Sequence, residues 1–139
     1  MTTSTSYRIT ADARDALNQR ARAEGVSATA LLERLIVEGV RALDRPGIVF
    51  RGPDRARRAA LAAGPDVWEV VSRLRELDGP EEGRIRALSD ESGLHPRLIR
   101  VALDYAAEHS DEIRSAIERN EEAVERARRA VDQREALLG

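Results

Sequence analysis

Three polar side chains near the N-terminus, Ser4, Ser6 and Arg8, alternate with Thr5, Tyr7 and Ile9. In an extended segment successive side chains face opposite sides. Residues 4–10 are β-prone, so Ser4, Ser6 and Arg8 share one face and Thr5, Tyr7 and Ile9 the other. An arginine so placed on a two-stranded ribbon bridges O6 and N7 of guanine in the major groove of DNA, and serine donates to or accepts from either base type. A second polar group, Ser27-Ala28-Thr29, opens a helical stretch whose free amides and hydroxyls suit a backbone phosphate. Sets that carry catalysis are not legible: there is no Ser-His-Asp set, phosphate loop, paired buried carboxylates or ligand cluster. The chain therefore reads as a non-enzyme without metal or cofactor. His95 and His109 lie far apart in helical phase, each without a nearby ligand pair, and read as surface or capping residues.

The composition frames these groups. The 139 residues carry a net charge of −2, with 23 basic side chains, all arginine, and no cysteine. Disulfides and thiolate metal sites are excluded. Aromatic residues are only 3% against 42% apolar in all, so the core is built of Ala, Leu, Val and Ile, as in helical or oligomeric proteins of this length. No apolar run approaches the roughly 18 residues of a membrane span, and the N-terminus lacks a basic-then-apolar signal pattern. A cytoplasmic protein with no membrane partner is expected. The near-neutral total argues against a non-specific nucleic-acid coat. Positive charge concentrates in residues 46–64, where Arg51, Arg55, Arg57 and Arg58 stand against Asp54; residues 65–139 are acidic.

The elements that must position these groups are mainly α. Thr10 caps a helix over 11–24, ended by Gly25 in a left-handed cap. Ser27 caps a second helix over about 28–44, with Leu31, Leu32, Leu35, Ile36, Val40 and Leu43 on one stripe. Ile48-Val49-Phe50 is a short strand, and Arg51-Gly52-Pro53-Asp54 a turn. For residues 57–63 the alanines favour helix and the context a hairpin. Asp66 caps a helix near 67–77; two more follow near 81–91 and 96–109, and 111–139 reads as one long helix. Three units result: 1–45, 46–110 and 111–139.

A strand at 4–10 has no partner within the first 45 residues, and a lone strand leaves its backbone groups unpaired. A second copy of the chain supplies one. A two-fold axis pairs the strands antiparallel, and Thr5, Tyr7 and Ile9 then cover the helices, with Leu17, Leu32, Leu35 and Ile36 as the remaining dimer core. The opposite face presents Ser4, Ser6 and Arg8 twice, on a ribbon that fits the major groove.

The segment from Ser6-Tyr7-Arg8-Ile9-Thr10 through Ala21-Arg22-Ala23-Glu24-Gly25-Val26-Ser27-Ala28-Thr29-Ala30-Leu31-Leu32 resembles the ribbon-helix-helix family of bacterial repressors, over about the first 44 residues. The resemblance implies an obligate homodimer that reads double-stranded operator DNA, with Ser4, Ser6 and Arg8 toward bases and Ser27, Ala28 and Thr29 toward phosphates. Residues 46–113 resemble a small helical module with a short hairpin that accompanies such segments in some VapB-type antitoxins.

Within that module, Leu88 to Ile99 has helix-turn-helix spacing, with Arg97 and Arg100 on the second helix. The acidic neighbours Asp90 and Glu91 favour a plain helical hairpin instead. In the tail, Ile113, Ile117, Asn120, Val124, Ala127, Val131, Arg134 and Leu138 recur at four-three spacing, an interrupted heptad seam. Ile113, Ile117, Val124, Val131 and Leu138 are the candidate partner-binding residues. Packing on the middle module or self-association in the dimer would satisfy the seam equally. The expectation is a dimeric repressor that is also the antitoxin of a type II toxin–antitoxin pair, neutralising a PIN-domain ribonuclease. The alternatives are a stand-alone transcriptional regulator and a dimeric interaction adaptor.

Overall fold

Side-chain acceptors start the first two helices where the sequence places them. A computed structural model describes residues 1–139. Thr10 Oγ1 accepts the Ala13 N–H at 3.1 Å at the head of α1 (Ala11–Glu24), and Gly25, at φ 70°, closes it in the left-handed conformation that glycine adopts without strain. Ser27 Oγ accepts the Ala30 N–H at 3.1 Å to begin α2 (Ala28–Asp44).

An antiparallel hairpin follows, β1 (Ile48–Arg51) and β2 (Arg58–Leu61), pairing Ile48 with Leu61 and Arg51 with Arg58. Residues 58–61 return as strand although alanine prefers helix. Pairing with β1 and the burial of Ala59, Ala60 and Leu61 outweigh a propensity of a few tenths of a kcal/mol per residue. The connection passes through one 3-10 turn, Asp54–Ala56. Gly52 enters it at φ 102°, where a Cβ would lie 2.3 Å from the Ala56 carbonyl oxygen, so no other residue fits. Arg51 donates to the carbonyls of Leu61, Ala62 and Gly64, fastening the chain's exit from the hairpin.

Four helices complete the chain: α3 (Val67–Glu76), α4 (Glu81–Ser92), α5 (Pro96–Glu108) and α6 (Ser110–Leu138). Asp66 and Glu69 form a capping box at the start of α3. His95 Nδ1 accepts the Arg97 N–H at 3.0 Å to start α5, a capping role.

The core is a cluster of fourteen buried side chains, all from the hairpin and α3–α6, centred on Leu61, Val67, Ile85, Ile99 and Tyr105. The first two helices bury only Ala21 and Leu31. Residues 1–10 carry no regular structure, and the sheet consists of β1 and β2 alone, both after α2. The expected order of strand, helix, helix is therefore absent from the single chain. Residues 4–10 pair with neither strand, and an unpaired extended segment gains no ladder bonds to offset the entropy of ordering it. A second correction concerns α6. Ile113 and Ile117 belong to the protein's own core, because α6 packs its first turns on α3 and α5. They are not free for a partner.

Tyr105 ties the core to its edge. Its ring meets Phe50 edge-on at 6.2 Å and lies 4.4 Å from the His109 ring, while its hydroxyl donates to Glu112 and accepts from Arg41 at 3.2 Å. Burial and the Glu112 carboxylate push the phenol up to about 12. Burial and the Arg41 guanidinium hold His109 below its ordinary 6.5. Both groups favour the neutral form in the folded state. The Tyr105 contribution is complete below pH 10 and disappears as pH rises towards 12; the His109 contribution is complete above pH 6.5 and disappears as pH falls. Denaturant titrations across pH should show a plateau between these limits. The alkaline loss should reach roughly 2–3 kcal/mol, at about 1.4 kcal/mol per pKa unit. Tyr105→Phe should abolish the alkaline loss and keep the acid one.

Candidate nucleic-acid interface

Ser4, Ser6 and Arg8 are exposed, and Arg8 has no carboxylate partner. Thr5, Tyr7 and Ile9 are exposed as well, with Tyr7 at 83%. At the head of α2, Ser27 uses its oxygen as the helix cap but keeps its hydroxyl proton, and the Ala28 and Thr29 amides have no intrachain acceptor. Free first-turn amides at the positive end of a helix dipole are a general phosphate-binding arrangement. The single chain joins residues 4–8 and 27–29 by no hydrogen bond.

The helix that begins there has two opposed faces. At about 100° per residue, Leu32, Leu35, Ile36, Val40 and Leu43 fall on one side and Arg34, Glu38, Arg41 and Arg45 on the other. The apolar side is open to solvent, with Leu35 at 50% and Ile36 at 53% exposure. Leu17 on α1 is half-buried. The charged side is occupied along its whole length. Arg34 Nη2 donates to both Glu24 oxygens, at 2.9 and 3.0 Å, and Nη1 reaches Asp54 at 3.3 Å in the hairpin. Arg57 of the hairpin grips Glu38 at 2.6 and 3.0 Å. Arg41 meets Tyr105 and Glu112, and Arg45 meets Asp104 and Glu108. The Arg57–Glu38 pair, two nitrogens on two oxygens and partly buried, is stronger and more directional than an exposed pair. The Arg34 and Arg20 guanidiniums hold the Glu24 carboxyl below the ordinary carboxylate range.

This ladder was visible in the sequence only as a stripe at four-three-four spacing, Arg34, Glu38, Arg41 and Arg45; its partners lie up to 71 residues away. It docks the helical module against the polar side of α2 and leaves the apolar side bare. The helix-turn-helix alternative gains no support. Arg100 is held by Glu82 of α4 at 2.7 Å, and Glu81, Asp90 and Glu91 are exposed on the same helix. Arg97 alone remains free on α5.

Of the candidate partner-binding residues, Val124, Val131 and Leu138 are exposed, and no residue after Ile117 is buried. That distal stretch also exposes Leu137. No group of three or more His, Cys, Asp or Glu side chains converges on a point that would hold a metal ion. No helix is long and apolar enough to cross a membrane. Comparison with protein-family models, with curated proteins and with solved structures returned no match.

Proposed function

We propose that the chain is a homodimeric, sequence-specific DNA-binding repressor, and the antitoxin of a pair in which its C-terminal helix holds a ribonuclease toxin of the PIN-domain class. One observation carries the dimer: α2 exposes a continuous apolar stripe on the side its own module leaves free, and the N-terminal segment exposes alternating Tyr7 and Ile9 with no strand partner. A second copy completes both at once. Its residues 4–10 pair with the first copy's, and the Tyr7 and Ile9 faces close over the two α2 stripes. The outward face of that ribbon carries Ser4, Ser6 and Arg8 in duplicate, a fit to the major groove. The free amides at Ala28 and Thr29 then take a phosphate on either side.

The test has two steps. Light scattering of the purified chain should give twice the 15.4 kDa protomer mass. Genomic fragments retained by it should reduce to one or a few sequences with two-fold symmetry, as the geometry of a symmetric dimer requires. A monomer, or retention without sequence preference, overturns the reading.

The antitoxin half rests on the distal part of α6, a narrow apolar stripe between charged flanks, the form of an amphipathic helix that lies in a partner's groove. The inward position of Ile113 and Ile117 shortens that stripe to residues beyond 117 and favours, as a second reading, a regulator without a toxin. Removing 121–139 separates the two. The truncated chain keeps its core and should keep DNA binding. A co-purifying nuclease bound by the full chain should be lost. A nuclease retained at full level would place the toxin contact on the middle module.

A further inference from the structure

Between the hairpin and α6 lies an open cleft of about 580 Å³, walled by Trp68 and lined by Arg55, Arg57, Arg58, Arg119 and Asn120. Two of its arginines are spent within the protein. Arg57 grips Glu38, and Arg58 binds Asp66 at 2.5 Å, whose carboxylate also accepts from the Trp68 indole. Arg55 and Arg119 have no ion pair and no hydrogen bond, and both are exposed. The one acid on the lining, Glu112, is engaged by Tyr105 and Arg41. In a chain of net charge −2, this is a concentrated site of unspent positive charge facing a single concavity.

Its location decides what it faces. The ladder pins the hairpin tip to α2 at Arg34, through Asp54, the residue next to Arg55. Arg34 lies seven residues, about 10 Å of helix, from Ser27 at the proposed phosphate-binding end. Arg55 is therefore carried towards the same end of α2 as the free amides, and Arg119 opens onto the same cleft. We infer that this cleft is a second DNA-backbone contact, in which Arg55 and Arg119 take phosphates of the duplex flanking the segment read by the ribbon. The inference rests on the DNA-binding reading above. Arginine's planar fork matches two phosphate oxygens at once, and no base need be touched. The cleft adds affinity and length of footprint without adding sequence preference.

The experiment compares the full-length chain with an Arg55→Ala/Arg119→Ala variant. Neither residue makes a hydrogen bond or ion pair within the fold and both are exposed, so the variant should match the parent in circular dichroism and melting. The probe is a long mixed-sequence duplex, titrated between about 50 and about 200 mM salt. Each phosphate contact contributes about 0.9 to the slope of log affinity against log salt, so four arginines in a dimer should lower the slope by about 3 to 4. Affinity at the low-salt end should fall by at least roughly tenfold. A short duplex covering only the ribbon's footprint should show no difference. An unchanged slope on the long duplex overturns the cleft's role and leaves the ribbon's intact. Failure of the unsubstituted chain to bind any duplex overturns both. Loss of binding to labelled polyglutamate, with the DNA slope unchanged, reassigns the cleft to an acidic peptide.

Discussion

Arg8→Ala is expected to abolish sequence-specific DNA binding while leaving a dimer of unchanged mass. Arg8 alternates away from Tyr7 and Ile9, so on the ribbon it lies on the face turned from the helices. It is exposed and makes no ion pair that the substitution would break. A bidentate arginine–guanine contact discriminates by about 1–3 kcal/mol, and a symmetric dimer loses two of them. At about 2 kcal/mol each, operator affinity should drop roughly a thousandfold. Non-specific binding at low salt should persist, because phosphate contacts at Ser27, Ala28 and Thr29 are untouched. A mobility-shift titration on the selected sequence and on scrambled DNA separates these two effects. A monomeric product would show that Arg8 lies on the inner face, reversing the assignment of Ser4 and Ser6 with it.

Leu35→Asp is expected to act at the earlier step, destroying the dimer and, through it, all DNA binding. Leu35 is half exposed in the single chain, in the middle of the apolar side of α2. Burying a leucine contributes about 1.5–3 kcal/mol, and the two-fold axis counts it twice. Losing both, and forcing two carboxylates towards one another, should raise the dimer dissociation constant by more than about a thousandfold. The loss should spread further. The first two helices bury only Ala21 and Leu31 by themselves, and helices of this length are marginal without tertiary packing. Amide exchange should therefore accelerate through α1 and α2 while the hairpin and α3–α6 stay protected, since their core lies elsewhere. A dimer of normal stability carrying Leu35→Asp would show that the stripe is not the interface.

Leu35 acts through one of two unlike surfaces of α2, whereas Arg8 lies outside that helix. Its polar side is committed to the module through Arg34, Glu38, Arg41 and Arg45, and its apolar side is open to solvent, the side the proposed dimer would cover. Were the module packed on the apolar side instead, the dimer would be blocked. The ladder thus acts as an orienting device as much as a source of stability. The net contribution of partly buried ion pairs is modest, but the wrong docking would leave several of these charges buried and unpaired.

Much of the local structure was legible in the residues themselves. Thr10, Ser27 and Asp66 marked helix starts by their side-chain acceptors and Gly25 a helix end by its backbone freedom, effects that act over three or four residues and need no knowledge of the rest of the fold. The period of Leu31, Leu32, Leu35 and Ile36 identified a helix with an apolar face, but not which neighbour would cover it. Residues 57–63 were ambiguous for the same kind of reason. Alanine's helix preference is weak, and only the pairing of β2 with β1 resolved it.

The candidate site divides along the same line. The alternation of Ser4, Ser6 and Arg8 with Tyr7 and Ile9 is a property of the chain, because the two-residue period of an extended backbone is local. That residues 4–10 form no strand by themselves is a property of the fold, in which they pair with neither β1 nor β2. In the tail, a heptad spacing interrupted at Asn120 runs through Ile113, Ile117, Val124 and Val131, yet the first two face the core and the last two face solvent. Periodicity specifies a face, not what lies against it. The cleft at Arg55 and Arg119 was out of reach altogether, since 64 positions separate its two free cations and only the packing of α6 beside the hairpin brings them together. The sequence by itself determined where helices begin and end and which faces they carry, through interactions of a few residues' range. The tertiary structure decided which faces are spent and which remain open, because that depends on burial and ion pairing between segments far apart in the chain.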